Sequence, residues 1–395
     1  MPEKFVYADN AATTRVSQSV LDAMLPYFGE EYGNPSSLHS KGREASAALG
    51  DARARIAKLL GAKESEIYFT ASGSEADNWA IKGAAYANRD RGKHIVSTKI
   101  EHHAVLYSLK ALEREGFEVT LVDVDQGGRV SPEAVANAVR EDTVLVSVMT
   151  ANNEVGTIEP IAEISAAVKQ KNRKTLIFTD AVQAAGTLRL DVRELGVDML
   201  SLSGHKLHAP KGVGALYIRN GIRVSNLIDG GGQERSRRGG TENLPYIIGL
   251  AKALEDAVAG IDENARVSAM RDRLIDGILD KIPYTRLNGA REQRLPGNVN
   301  ISFDYIEGES LLLWLDMNGI CASTGSACSS ASLEASHVLL ALGVPVESAH
   351  GSLRLSLGRD NTDDDVDYIL QVLPGIVERL RNMSPLYEKV NGSKI

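Results

Sequence analysis

Met199-Leu200-Ser201-Leu202-Ser203-Gly204-His205-Lys206 is the stretch on which the fold turns. Its first residues are apolar-rich and end at a glycine, as a strand buried on both faces of a sheet does. A lysine directly after such a strand is unusual. The ordinary reading is a solvated loop lysine, but in a partly desolvated site the ammonium loses its proton and the amine can form a Schiff base with a carbonyl compound. Runs of the same kind stand at Glu66–Thr70, His94–Thr98, Glu118–Val124, Thr143–Thr150, Thr175–Asp180 and Gly214–Ile218. Between them lie helical patterns. Glu44–Leu60 sets Ala48, Leu49, Ala52, Ile56, Leu59 and Leu60 on one face before the stop at Gly61. Glu75–Arg89 and Pro160–Lys171 read as helices too. This alternation predicts an α/β fold, a mostly parallel seven-stranded sheet with helices on both faces. Gly214–Ile218 follows too closely for a crossover helix, so it is expected to return antiparallel.

After about residue 258 the texture changes. A polar helix at Asp262–Lys281 leads to a strand at Asn298–Phe303, a helix near Gly308–Asn318 and strands at Ile320–Ser323 and Ser352–Leu357. Thr362–Arg381 closes as a helix, with Thr362 as N-cap, Asp363–Asp365 in the favourable first turn and a kink expected at Pro374. This is a smaller α+β domain. The tail Tyr387–Ile395 has no periodicity and is expected to be mobile.

The 395 residues are 43% hydrophobic and 24% charged, an ordinary globular mixture with material for two or three domains. The net charge of −8 gives no help in wrapping nucleic acid or approaching an anionic membrane. Two cysteines exclude a disulfide scaffold and a multi-cysteine metal cage held by this chain alone. No apolar run approaches the roughly 18 residues of a membrane span. The opening Met1–Asn10 lacks the apolar core of a signal peptide, and the cytoplasm is the expected compartment.

Three features sit at strand ends, where open α/β sheets bind ligands. Thr70-Ala71-Ser72-Gly73-Ser74-Glu75 is a small-residue turn entering a helix, either a phosphate site or an ordinary capped turn. Asp180 either faces a cationic ligand or caps Ala181-Val182-Gln183. Lys206 has Ser203 and His205 beside it as phosphate donors. Anion cradle, acid and amine together are what pyridoxal 5′-phosphate requires.

With these in view the sequence resembles the cysteine desulfurases of the NifS/IscS type, pyridoxal phosphate enzymes of fold type I, the aspartate aminotransferase-like fold. The resemblance spans nearly the whole chain. It is carried by Tyr7-Ala8-Asp9-Asn10-Ala11-Ala12-Thr13-Thr14, Gly33-Asn34-Pro35-Ser36-Ser37, Glu101-His102-His103-Ala104-Val105, Asn152-Asn153-Glu154-Val155-Gly156, Asp180-Ala181-Val182-Gln183, Ser203-Gly204-His205-Lys206, Gly239-Gly240-Thr241 and Ser323-Thr324-Gly325-Ser326-Ala327-Cys328-Ser329-Ser330. It implies a large cofactor-binding domain at 15–258 and a small domain made of 1–14 and 259–395. It makes Lys206 the cofactor lysine, Asp180 the partner of the ring nitrogen, and Gln183 and Asn153 contacts near the ring oxygen. His102 would stack on the ring and move protons. Gly73, Ser74, Ser203 and His205 would hold the phosphate, with Thr241 reaching in from the second subunit of a homodimer. Many relatives have Thr where Ser74 stands, and the hydroxyl is kept. Arg354 would clamp the substrate carboxylate, with Asn34 nearby.

Cys328 decides the reaction that the resemblance implies. It lies at about 322–332 in a run of Ser, Thr, Gly and Ala without an apolar pattern, as in the family type whose long loop hands sulfur to several partners. Cys321 instead fits a buried small hydrophobe. L-cysteine would become L-alanine, with a persulfide on Cys328. The sulfur would serve iron–sulfur cluster assembly through a scaffold protein, other thio-cofactors or tRNA thiolation. The region from Ser384 onward resembles the place where relatives dock that scaffold. An aminotransferase, a selenocysteine lyase and a silent scaffold are the competing readings. His102/His103 and His205/His208 are expected to hold no metal. Arg235, Arg237 and Arg238 read as a solvated or interface loop.

Overall fold

The strands form where the apolar runs stand. In the computed structural model, which describes residues 4–324 and 335–391, the strands are β1 (Val6–Tyr7), β2 (Ile67–Thr70), β3 (His94–Thr98), β4 (Glu118–Val122), β5 (Thr143–Ser147), β6 (Leu176–Asp180), β7 (Met199–Ser203), β8 (Gly214–Ile218), β9 (Thr285–Leu287), β10 (Asn298–Phe303), β11 (Ile320–Cys321) and β12 (Ser352–Ser356). The seven from β2 to β8 make one sheet in the order β2-β8-β7-β6-β5-β3-β4. Every pairing is parallel except the two made by β8, which lies antiparallel to β7 and to β2. The short link after β7 leaves no room for a crossover helix, so β8 must turn back. Strands β3, β5, β6, β7 and β8 are buried along their whole length, which is why their sequences are nearly continuous in apolar residues.

The two faces of β7 explain its alternation. Leu200 and Leu202 face one cluster, with Ile56, Phe69, Val146 and Ile177. Met199 faces the other, with Trp79, Ala80, Leu109 and Phe178. Ser201 and Ser203 share the Met199 side by the period of two. That side is covered by the helix Gly73–Asn88, and Ser201 donates to Asp77 of that helix. The helix Ser40–Leu59 ends as expected, with Gly61 in the left-handed region at φ +66°.

A second core gathers Val6 and Ala8 with Leu274, Phe303, Leu311, Leu353 and Leu373. Its antiparallel sheet runs β12-β10-β9, and β1 pairs in parallel with β11. The helix Asp363–Asn382 opens on a reciprocal Thr362–Asp365 cap and continues through Pro374. The tail departs from expectation, because Pro385–Asn391 is a helix. Its Tyr387 ring sits 6.3 Å from Tyr284 and 5.7 Å from Tyr305, a tertiary contact without a local periodic signal. Residues 392–395 and 325–334, the latter including Cys328, lie outside the described residues. Cys321 is half-buried rather than buried, at the edge position of β11.

Glu234, Arg235 and Ser236 are consecutive non-glycine residues with φ of 47°, 58° and 63°. Each such residue costs about 1–2 kcal/mol. The loop is held by Glu234, which is buried and accepts from Arg53 Nη1 at 2.8 Å, Arg53 Nη2 at 2.6 Å and the Phe69 N–H at 2.9 Å. Replacing Glu234 with Ala leaves the Arg53 charge buried without its partner. The expected loss of stability is about 3–5 kcal/mol. Denaturant unfolding of both proteins checks it, and an unchanged midpoint would refute the role of the pair.

Candidate active site

The C-terminal ends of β3, β5, β6 and β7 open into a cavity of about 400 Å³. Asp180 ends β6 and is buried. Its Oδ1 accepts the Val182 N–H at 2.8 Å, so the capping role and a place in the cavity wall coexist. Ser72, Gly73 and Ser74 form the opposite end. Ser72 caps the Glu75 N–H at 3.1 Å, and the helix start leaves backbone N–H groups without intrahelical acceptors. A Cβ on Gly73 would sit 2.8 Å from Val182 Cγ2 and 3.2 Å from Ser203 Cβ, so only glycine lets this turn approach the end of β7.

Lys206 follows β7 in the short turn Gly204–Lys206. Its Nζ donates to the Ala12 carbonyl at 2.8 Å and to the Ala11 carbonyl. Gln183 Nε2 donates to the same Ala11 carbonyl at 3.0 Å. His205 Nδ1 lies 3.2 Å from Thr13 Oγ1, and burial lowers its pKa to about 4, which leaves the ring neutral near pH 7. His102 caps the next helix, its Nδ1 accepting the Ala104 N–H at 3.1 Å, so the neutral ring carries its proton on Nε2. Burial lowers its pKa as well.

Asp77, His102 and Asp180 each place a polar atom within 4.8 Å of the others. Burial pushes the Asp180 carboxyl upward. Burial, and then Asp180, pushes Asp77 well above the carboxylate range. Ser201 donates to Asp77 at 2.6 Å. At the other wall Arg354 of β12, only 2% exposed, donates from Nη1 to the Asn153 carbonyl at 2.9 Å and from Nη2 to Asp9 at 3.1 Å.

The cavity thus gathers Gly73, Ser74, His102, Asn153, Asp180, Gln183, Ser203, His205, Lys206 and Arg354. Two expected site residues are not brought to it. Asn34 is exposed at a turn, where its Oδ1 accepts the Ser36 N–H at 2.9 Å, and it does not line this cavity. Thr241 lines a separate hollow with Arg238 and Glu242. Either side of 325–334 the chain is tied to the cavity wall: Ser323 pairs with Arg354, Ser336 donates to Glu154, and His337 Nε2 lies 3.0 Å from the Glu101 carbonyl. Sequence reasoning missed Asp77, Asp9, His103, Glu154 and His337. Asp77 carried a signal as an acid amid Ala76, Trp79 and Ala80 on the sheet-facing side of a helix, and Asp9, His103 and Glu154 stood in the quoted motifs without a role.

The donor set fits pyridoxal 5′-phosphate. A lysine amine, a buried carboxylate and a helix start with serine hydroxyls occupy separate walls of one cavity.

Glu101, fully buried behind His102, accepts from Thr98 Oγ1 at 2.7 Å and from the Met149 N–H at 3.0 Å. Burial raises its pKa to about 8. A carboxyl raised in the folded state contributes stability at low pH and loses it as pH climbs from the unfolded value of about 4.5 toward 8. Glu101→Gln mimics the protonated form and lacks this slope. Melting temperatures of the two proteins should therefore diverge in favour of the variant between pH 5 and pH 8. Parallel curves would show that Glu101 is ionised throughout.

The family described as Aminotransferase class-V matches residues 6–369. A protein of Methanosarcina thermophila named Cysteine desulfurase IscS is 58% identical over 387 residues, 98% of this chain and 95% of that protein. One of the same name from Clostridium botulinum (strain Hall) is 56% identical, covering 98% of this chain and 97% of the relative. Among solved structures, a NifS-like protein superposes with a TM-score of 0.90 at 42% identity, covering 95% of this chain and all of the other. A structure described as SspA in complex with cysteine gives 0.79 at 35%, covering 89% and 98%.

Proposed function

We propose how this chain, which belongs to the aminotransferase class-V family and is a pyridoxal 5′-phosphate-dependent cysteine desulfurase, divides the reaction among its residues. The observation that carries the reading is the convergence of Lys206, Asp180, the Ser72-Gly73-Ser74 helix start and Arg354 on one cavity. The cofactor, when bound, supplies an electron sink for the bonds at the substrate α-carbon. Lys206 holds it through Nζ and afterwards takes the α-proton on that atom. Asp180 would offer a carboxylate oxygen to the ring nitrogen and hold the proton there. His102, neutral and with its proton on Nε2, would cover the ring. Gln183 and Asn153 would serve the ring oxygen. Ser74, Ser203, His205 and the Gly73 N–H bind the phosphate. Arg354 takes the α-carboxylate of L-cysteine.

Cys328 receives the sulfur. Its thiolate attacks the substrate sulfur, an S–S bond forms, the C–S bond breaks, and the carbon fragment takes up a proton and leaves as L-alanine. A free thiol of pKa about 8.5 is only a few per cent thiolate at neutral pH but strongly nucleophilic. The persulfide then passes to an acceptor cysteine on an iron–sulfur scaffold protein docked near the C-terminal tail.

A homodimer completes the phosphate site through Thr241, a reading supported by the position of Thr241 away from this chain's own cavity. Two cysteines and no disulfide framework suit a reducing compartment, and the cytoplasm is the proposed location. No helix among the described residues is long and apolar enough to cross a membrane.

Borohydride should fix the cofactor to the peptide containing Lys206. With L-cysteine and a reductant, the protein should release sulfide and alanine in equal amounts. Cys328→Ala should keep cofactor and substrate binding but lose at least about a hundredfold in sulfide release, while Cys321→Ala keeps the chemistry. Normal turnover in Cys328→Ala would exclude it as the sulfur acceptor.

The proposed subunit sharing has its own test. Thr241→Ala mixed with Lys206→Ala should give heterodimers with one intact site and activity above both parents. No gain after proven subunit exchange would count against sharing.

A further inference from the structure

We propose that Asp9 is a positioning residue that stands in for the substrate α-carboxylate, holding the Arg354 guanidinium in place until a free carboxylate displaces it. The inference rests on Arg354 as the carboxylate clamp. Arg354 is 2% exposed, and a buried guanidinium without a counter-charge is strongly unfavourable. Asp9 supplies the charge at 3.1 Å from Nη2. Burial pushes the Asp9 carboxyl up, and the Arg354 guanidinium draws it back down only in part.

The hold is one-armed. Arg354 Nη1 is engaged by the Asn153 carbonyl and Nη2 by Asp9, while Nε is buried with no hydrogen-bond partner among the described residues. A carboxylate lying along Nε and Nη2 would make two parallel bonds where Asp9 makes one, and two-point pairing is the stronger arrangement. Asp9 is thus able to orient the fork and still yield it.

Asp9 also begins the turn that ends on the lysine. Its carbonyl accepts the Ala12 N–H at 3.0 Å, and the Ala11 and Ala12 carbonyls accept from Lys206 Nζ. The Ala11 N–H is fixed to Ser356 Oγ at 2.9 Å. One short turn therefore touches the residue for the carboxylate and the residue that must release the amine. An α-amino acid brings both groups at once, and the turn is in contact with the receiver of each before the substrate arrives.

Competition for Arg354 gives the test. The probe is 3-mercaptopropionate, which has the carboxylate and thiol of cysteine but no amine, titrated calorimetrically into cofactor-free protein. Asp9→Asn keeps the acceptor oxygen and removes the charge, so it should bind the probe about five- to tenfold more tightly than wild type. Asp9→Glu, which keeps the charge, should stay near wild type. In the holoenzyme Asp9→Asn should lower the KM for L-cysteine by a similar factor without raising kcat, whereas a merely structural Asp9 would raise KM. Binding that is unchanged or weaker in Asp9→Asn, with binding abolished in Arg354→Gln, overturns the stand-in role and leaves the clamp intact. Undiminished binding in Arg354→Gln overturns the clamp itself and the inference with it. Equal gains in Asp9→Asn and Asp9→Glu also overturn it, because charge would then be irrelevant.

Discussion

Asp180 lies opposite Ser201 in the parallel pairing of β6 with β7, and the site is built outward from that register. It sends Asp180 and the Ser203–Lys206 turn to the same end of the sheet. It also turns Ser201 toward the helix Gly73–Asn88, whose first residues form the other wall of the cavity. A slip of one residue would reverse the faces of β7, bringing Leu200 and Leu202 against Asp77 and pushing the serines into an aliphatic cluster. The apolar residues of β7 thus fix the position of its polar ones.

Burial governs protonation around the cavity. His102, His103, His205 and His337 are all shifted toward the neutral form, while Asp77, Glu101, Glu154 and Asp180 are shifted toward the protonated form. Desolvation is the largest cause in each case. The surroundings resist charge of either sign, so a charged ligand placed here interacts strongly with the few groups that do carry charge. Arg354 is a buried cation in the cavity wall, and its neighbours Asn153, Asp9 and Ser323 fix its direction.

The main sheet was legible because its signals are local: short apolar runs, glycine stops and the short link before β8. The residues around Lys206 were legible through strand-end placement and motif resemblance. What was not legible depends on pairings far apart in sequence. Asp9 meets Arg354 only because β1 lies beside β11 and the Asp9–Thr13 turn crosses β12. Glu234 meets Arg53 across most of the large core. Pro385–Asn391 is helical beside tyrosines about a hundred residues earlier in the chain, and no window of local periodicity contains that contact. Asn34 is the opposite case, a motif residue that this chain's own fold leaves at the surface.

The pairing of β1 with β11 has a consequence for how the protein is made. Val6 and Tyr7 leave the ribosome more than three hundred residues ahead of their strand partners, Ile320 and Cys321. The seven strands of the main sheet are all present once Ile218 is made, although Leu244, Leu250 and Leu254 of the same core follow later. The turn that receives the Lys206 amine is anchored at Ser356. Until that residue emerges, the nascent chain has Lys206 but neither the anchored Ala11–Ala12 carbonyls nor the arginine at 354. Residues 6–12 find their partners only among residues 320–356, so this wall of the cavity is completed after the main sheet.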